Sequence, residues 1–275
     1  MNLPILDNHI HLDPKGLWVE AAERFKRAGG THMIIVHKPY YHLQREDFSL
    51  QFDTTLKLSE RVRKETGLKV FTALAPHPAE ITTLMKKHTL KESVAMMRSA
   101  LELAARYIAE GKALAFGEAG RPHYPVSSEV WEASNELIIF TLELAKELDC
   151  AVQFHTESGE NSFNEIAQMA EKTGVPLIRC VKHFSGPAIM SEENHGLFPS
   201  VTSRSGNIKK AISKGNRFLM ETDYIDEPSR PNIVLPPETV PMLTLRFLKS
   251  GLFTQEDVYK IHVENPRRVY GIDID

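Results

Sequence analysis

The sequence predicts a (β/α)8 TIM barrel with its active site at the C-terminal ends of the strands. Eight short apolar runs alternate with longer helical patterns from end to end. The runs are rich in Ile, Val, Phe and Leu without clean polar alternation, as parallel strands covered on both faces require. A length of 275 residues suits one such barrel.

PILDNH at 4–9 opens the series and leads into a helical pattern at 15–28, with apolar residues three and four apart. HMIIVH at 32–37 precedes a pattern at 52–66, and KVFTALAP at 69–76 precedes one at 91–110. ALAFGE at 113–118 leads to a helix over 129–148, for which Ser127 and Ser128 offer N-caps and acids fill the first turn. AVQFH at 151–155 precedes 161–173, GLFPSVTS at 196–203 precedes 205–214, and RFLMETD at 217–223 precedes 238–250. Only PAIMSEENH at 187–195 follows PLIRCVKHF at 176–184, so the sixth crossover is the thinnest. Thr254 caps a final helix over 254–271. Gly111, Gly174 and Gly215 sit just past helical patterns, where a terminating glycine is favoured. An open doubly wound sheet is the competing class, but no G-x-G-x-x-G follows the first strand. With no repeat and no linker, a single domain over 1–275 is expected.

Hydrophobic residues make up 42% and charged residues 25% of the chain, and 33 Lys and Arg against 36 Asp and Glu leave a net charge of −3. That balance argues against a surface that grips nucleic acid or anionic lipid throughout, while leaving room for a local basic rim. The mean hydropathy of −0.27 and the lack of any long apolar run exclude a membrane-spanning helix. Two cysteines, Cys150 and Cys180, form no disulfide framework, and MNLPILDNH lacks the pattern of a secretory signal, so a cytoplasmic protein is expected.

The chain holds twelve histidines, and their placement carries the chemistry. His9 and His11 end the first strand two residues apart, so both imidazoles face the same way. Glu118 ends the fourth strand, His155 the fifth and Asp223 the eighth, and His183 lies near the end of the sixth. In a barrel these ends converge on one face. Six groups of metal-binding type therefore meet in one bowl. For any single residue the alternative is a hydrogen-bonded barrel-top side chain; for the set it is much weaker.

These residues lie in the motifs NHIHLD (8–13), APHP (75–78), FGEAG (116–120), QFHTES (153–158), KHFSGP (182–187), METD (220–223) and ENPRRVYG (264–271). In order and strand position the set resembles the TatD-like metal-dependent hydrolases of the amidohydrolase superfamily. The resemblance implies that His9, His11, Glu118 and Asp223 hold one divalent ion, and that Glu118 bridges to a second held by His155 and His183. Such nitrogen and oxygen donors suit zinc and also accept manganese or magnesium. Paired cations polarise a substrate oxygen and lower the pKa of water. Glu118 and Asp223 are then the catalytic carboxylates, with Asp223 accepting the water's proton and passing it to the leaving group. The implied reaction is phosphoester hydrolysis, on a small phosphoester or on nucleic acid as in a TatD-like nuclease. The alternative is hydrolysis of an amide, lactone or acyl ester at the same site. A catalytically silent barrel would require a missing ligand, and none of the six is missing.

The sequence departs from that family at several strand ends. Glu157 stands where TatD nucleases usually carry arginine, which disfavours a phosphodiester. After Glu118 the common Gly-Leu-Asp-Tyr is replaced by AGRPHYPV, bringing Arg121 and His123 nearby. Arg121 is either the substitute phosphate clamp or the ion-pair partner of Glu157. His77, of the His-Pro motif, and His37 are expected substrate contacts, although His37 also lies in a turn, HKPYYH. YIDEPSRPN follows Asp223 and bears on substrate choice. Ser203 and Arg204 either touch an anion or cap the next helix, and Tyr40 and Tyr41 either stack on a base or pack.

Overall fold

The computed structural model describes residues 3–227, 229–230 and 233–274, so Pro228, Pro231 and Asn232 of the YIDEPSRPN loop lie outside the described residues. Strands and helices alternate as β1 (Leu6–His11), α1 (Val19–Arg27), β2 (His32–Val36), α2 (Phe48–Thr66) and β3 (Lys69–Ala73). Next come α3 (Glu80–Leu84), α4 (Leu90–Ala109), β4 (Ala115–Gly120), α5 (Ser128–Glu147), β5 (Ala151–His155) and α6 (Glu160–Thr173). The second half holds β6 (Cys180–Lys182), α7 (Ser191–Asn194), β7 (Phe198–Thr202), α8 (Ser205–Ile212), β8 (Leu219–Glu221) and β9 (Tyr224–Ile225). It ends with α9 (Thr239–Lys249), α10 (Gln255–Tyr259) and α11 (Asn265–Tyr270).

Local chemistry sets the boundaries. Ser127 accepts from the Val130 amide and so caps α5, leaving Ser128 as its first helical residue. Thr89 and Glu92 form a reciprocal capping box on α4, and Thr254 and Asp257 form one on α10.

All strand pairings are parallel, in the order β8-β7-β6-β5-β4-β3-β2-β1-β9. The result is a TIM-barrel-like α/β fold, with a ninth strand among the described residues where eight were expected. Asp7 is the cause of the break. Its carboxylate accepts from the Thr222 amide at 3.1 Å and the Thr222 hydroxyl at 2.6 Å, which interrupts the chain after β8. The ladder then resumes as β9 beside β1. The sixth strand is also shorter than expected. Pro176 has no amide for a ladder, and Leu177–Arg179 wind into a short 3-10 turn instead. The short α7 fills the thin sixth crossover.

Inside the curl of the sheet, Leu6, Val36, Ala73, Ala115, Ala151, Val181, Phe198 and Leu219 pack as one cluster with Val269 and Tyr270 of α11. Outside it, apolar faces of α2, α4, α5 and α6 bury against the strands, with Phe52, Leu101, Leu142 and Ile166 essentially inaccessible. Each such side chain contributes about 1.5–3 kcal/mol. This packing holds the strand ends as a rigid platform. Among the described residues no helix is long and apolar enough to cross a membrane.

Candidate metal centre

The ends of β1, β4 and β5 and the turns after β6 and β8 bring His9, His11, Glu118, His155, His183 and Asp223 to one face. The histidines are held from behind. His9 Nδ1–H donates to Gln153 Oε1 at 2.7 Å, and the Gln153 amide is oriented by donating to the Asn8 carbonyl and the Tyr270 hydroxyl. His11 Nδ1–H donates to the Val36 carbonyl at 2.9 Å. Both partners accept, so each ring when neutral presents a bare Nε2, and these two nitrogens stand 3.1 Å apart; burial opposes charge on His11, but Asp223 and Glu118 outweigh it and raise its pKa. Facing lone pairs at that distance repel unless a cation lies between them. Two imidazoles about 2.0–2.1 Å from one zinc ion stand about 3.0–3.4 Å apart, so the donor set fits such an ion.

Glu118 lies at the centre. Its Oε1 is 2.8 Å from His155 Nδ1, 3.4 Å from His183 Nε2 and 3.6 Å from His9 Nε2. Its Oε2 is 3.5 Å from His11 Nε2 and 3.6 Å from His77 Nε2. Asp223 Oδ1 lies 3.6 Å from His11 Nε2 and 3.9 Å from His9 Nε2. Asp223 has φ 50, in the left-handed region, and its amide donates to the His9 carbonyl. That turn lifts its carboxylate out of the strand line toward the histidines.

The electrostatics follow from burial and crowding. Burial holds the His9 imidazole well below its usual range, and His183 adds to the effect. Burial opposes ionisation of Glu118, but His155, His9 and His77 outweigh it and keep the carboxyl well below the usual range. Burial also opposes charge on His183, yet Glu221 and Asp223 raise it to about 9. His183 Nδ1 faces Glu221 Oε1 at 3.0 Å, an arrangement that strengthens Nε2 as a ligand.

Of the expected substrate contacts, the structure brings His77 to the bowl. Its Nδ1 accepts the Ala79 amide at 3.1 Å, so the neutral ring carries its hydrogen on Nε2, toward Glu118. His77, Glu118 and His155 also form one of the compact donor groups, beside His9–His11–Glu118 and His9–His183–Glu221. His37, Arg121 and Glu157 do not line the bowl. His37 is buried against Phe52 and bonded to the Thr55 hydroxyl at 2.8 Å. Arg121 is 0% exposed. Its guanidinium pairs with Glu157 at 2.5 Å and with Glu165, bonds Asn135, and lies over the Trp131 ring. The geometry is that of the ion pair with Glu157, one of the two roles open to Arg121. The tyrosine pair divides: Tyr40 is buried and bonded to Thr55, whereas Tyr41 is 66% exposed at the rim.

Two neighbours of the candidate ligands escaped the sequence reading. Gln153 and Glu221 lie two residues before His155 and Asp223, and the period-two rule of strands was the available signal. His123, expected near the site from the segment after Glu118, lies there: its Nδ1 is 2.7 Å from His155 Nε2. Above the histidines the bowl opens as a cavity of about 580 Å³, walled by Lys38, Tyr41, Arg45, Lys86 and Arg230 together with Glu80 and Glu227. Lys38 is tied to Asp13 and Arg45 to Glu80, while Lys86 makes no ion pair among the described residues.

The TatD related DNase family model matches residues 6–271. An uncharacterized protein of Methanocaldococcus jannaschii, MJ1127, is 40% identical over all of this chain and 98% of its own length. The Escherichia coli TatD homolog YjjV superposes with a TM-score of 0.68 at 21% identity, covering 99% of this chain and 100% of that one. The Escherichia coli phosphotriesterase homology protein, solved with phosphate in its active site, superposes at 0.66 with 16% identity, covering 98% and 99%. The organophosphorus hydrolase of Deinococcus radiodurans does so at 0.67 with 15% identity, covering 98% and 93%. These structural likenesses establish the fold.

Proposed function

Since the chain belongs to the TatD related DNase family of metal-dependent hydrolases, we propose that it cleaves phosphoester bonds with two divalent cations, zinc in the first place. The observation that carries this reading is the pair of Nε2 atoms on His9 and His11, 3.1 Å apart beside a central Glu118. His9, His11 and Asp223 would hold one ion and His155 and His183 the other, with Glu118 between them. Cations held there supply Lewis acidity and lower the pKa of water.

The protein's own groups do the rest. Asp223 takes the proton of the attacking water on its carboxylate and returns it to the leaving oxygen. His77 donates its Nε2–H to a substrate oxygen. Gln153, the Val36 carbonyl and Glu221 keep three imidazoles in the tautomer and orientation that ligation needs. Lys86 and Arg230 at the rim favour an anionic substrate, a small phosphoester or a nucleic-acid strand, and exposed Tyr41 offers a base a stacking face. The acid at Glu157 no longer argues against a phosphodiester, because Arg121 neutralises it outside the bowl. One catalytic domain over 1–275 acting in the cytoplasm is part of the same reading, supported by two buried free cysteines.

The test is cleavage of a short labelled single-stranded DNA and of a small phosphodiester by protein loaded with zinc, manganese or magnesium, each beside a chelator control. Chelator-sensitive cleavage that Asp223→Asn abolishes is expected. Turnover of lactones or acyl amides alone, in metal-loaded protein, would overturn the phosphoester reading in favour of carbonyl chemistry.

A further inference from the structure

We propose a second site: an oxyanion pocket, suited to a phosphate or phosphoryl group, behind the metal centre between β6, β7 and the N-termini of α6 and α8. A cavity of about 230 Å³ lies there, lined by Ser158, Phe163, Lys182, Phe184, Thr202 and Asn207 among others. None of its described lining residues is acidic, and it shares none with the bowl.

Lys182 is the centre of the argument. It ends β6 directly before His183, so the two side chains leave the strand on opposite faces. The imidazole enters the bowl and the ammonium lies behind it, at 3% exposure. That ammonium donates to the His183 carbonyl at 2.8 Å, one bond from a group with three donors. Among the described residues no carboxylate pairs with it. Its acidic neighbours are engaged elsewhere: Glu157 holds Arg121, and Glu221 accepts from the Phe184 amide and the Ser200 hydroxyl. A buried cation with no carboxylate bonded to it is costly, and an anion in the adjoining cavity reduces that cost.

Further donors surround the same space. Thr202 is 1% exposed, and its buried hydroxyl has no hydrogen-bond partner among the described residues. α8 starts at Ser205 with no side chain capping its first turn, and Asn207 of that turn lines the cavity. α6 starts after Gly159, which has no side chain to cap with, and Ser158 and Gly159 line the cavity from the other side. Two uncapped helix N-termini, a buried ammonium and a spare hydroxyl thus meet at one small void. Donors converging from several directions match a tetrahedral oxyanion better than a flat carboxylate. The oxyanion is either free phosphate or the phosphate of a strand whose neighbouring linkage sits in the bowl; the second source rests on the phosphoester reading above.

Calorimetric titration of inorganic phosphate into the zinc-loaded full chain tests the pocket. Asn207→Asp places a negative charge in the first turn of α8, where it favours the helix while repelling an anion. Thr202→Val removes the spare hydroxyl, and Lys182→Gln removes the charge. At least tenfold weaker phosphate binding is expected in all three, with bound zinc per chain unchanged in Asn207→Asp and Thr202→Val. Isotherms identical to wild type in those two variants would overturn the proposal. Repeating the titration with an oligodeoxythymidylate present separates the sources. Competition lost in Asn207→Asp identifies a strand phosphate, and independent binding identifies free phosphate. The phosphate titration reads the pocket even if no oligonucleotide is ever cleaved.

Discussion

Replacing Arg121 with methionine distinguishes a structural cation from a substrate clamp. The side chain is fully buried, and Glu157 and Glu165, the carboxylates it holds, are 27% and 42% exposed. Screening at those partners limits each ion pair to about 1 kcal/mol. The stacking on Trp131, with the guanidinium carbon 4.1 Å from the ring centre, adds about 1 kcal/mol. Methionine keeps most of the stem's volume, so little cavity cost is added. The sum is a loss of about 3 kcal/mol, roughly a hundredfold in the folding equilibrium. Urea unfolding followed by circular dichroism measures it. A double-mutant cycle with Glu157→Gln should return a coupling of about 1 kcal/mol. KM for a phosphoester should change little. Stability within about 0.5 kcal/mol of wild type, together with a KM raised tenfold, would refute the structural assignment and restore the clamp.

Three further outcomes are expected. His9→Ala and His183→Ala should each lower bound metal by mass spectrometry, and Gln153→Leu and Glu221→Gln should weaken it about 10–100-fold; full occupancy in both alanine variants would sink the ligand assignment. His123→Phe removes the ring nitrogen facing His155 Nε2 at 2.7 Å and should weaken metal binding about tenfold. His123→Asn, whose carbonyl oxygen replaces Nδ1, should restore it, and equal affinity in both variants would exclude a positioning role. The third concerns acid. Burial lowers His262 to about 4 in the fold, against about 6.5 in the unfolded chain. The unfolded chain therefore binds the extra proton between those values. The stabilisation is complete above pH 6.5 and is lost as pH falls toward 4, by about 3 kcal/mol in all. His262→Gln should lose less stability than wild type between pH 7.5 and 4.5, and identical losses would contradict the assignment.

Much of the candidate site was legible because its proposed ligands sit at or just beyond strand ends. His9 and His11 are two apart in a strand, and every β-strand end of a TIM-like fold points to one face. His155 closes β5 as expected. The same rule applied one step back would have found Gln153 and Glu221. The ninth strand was not legible, because it depends on Asp7 capturing Thr222 across 215 positions of chain.

By itself, then, the sequence pointed to a TIM-barrel-like α/β fold and to the candidate metal-binding groups, since both follow from local periodicity and from residue types at predictable strand ends. Tertiary structure alone decided what the loop residues do. Arg121 was an anion clamp or an ion-pair partner until Glu157, Glu165 and Trp131 were brought around it. Tyr40 and Tyr41 were equivalent until one was buried on Thr55 and the other left at the rim. Lys182, at the end of β6, drew no reading from the sequence, and folding turned it away from the bowl toward a cavity with no acid among its described lining residues. Such roles depend on which distant groups become neighbours and on how much water is excluded between them, and neither is set by local pattern.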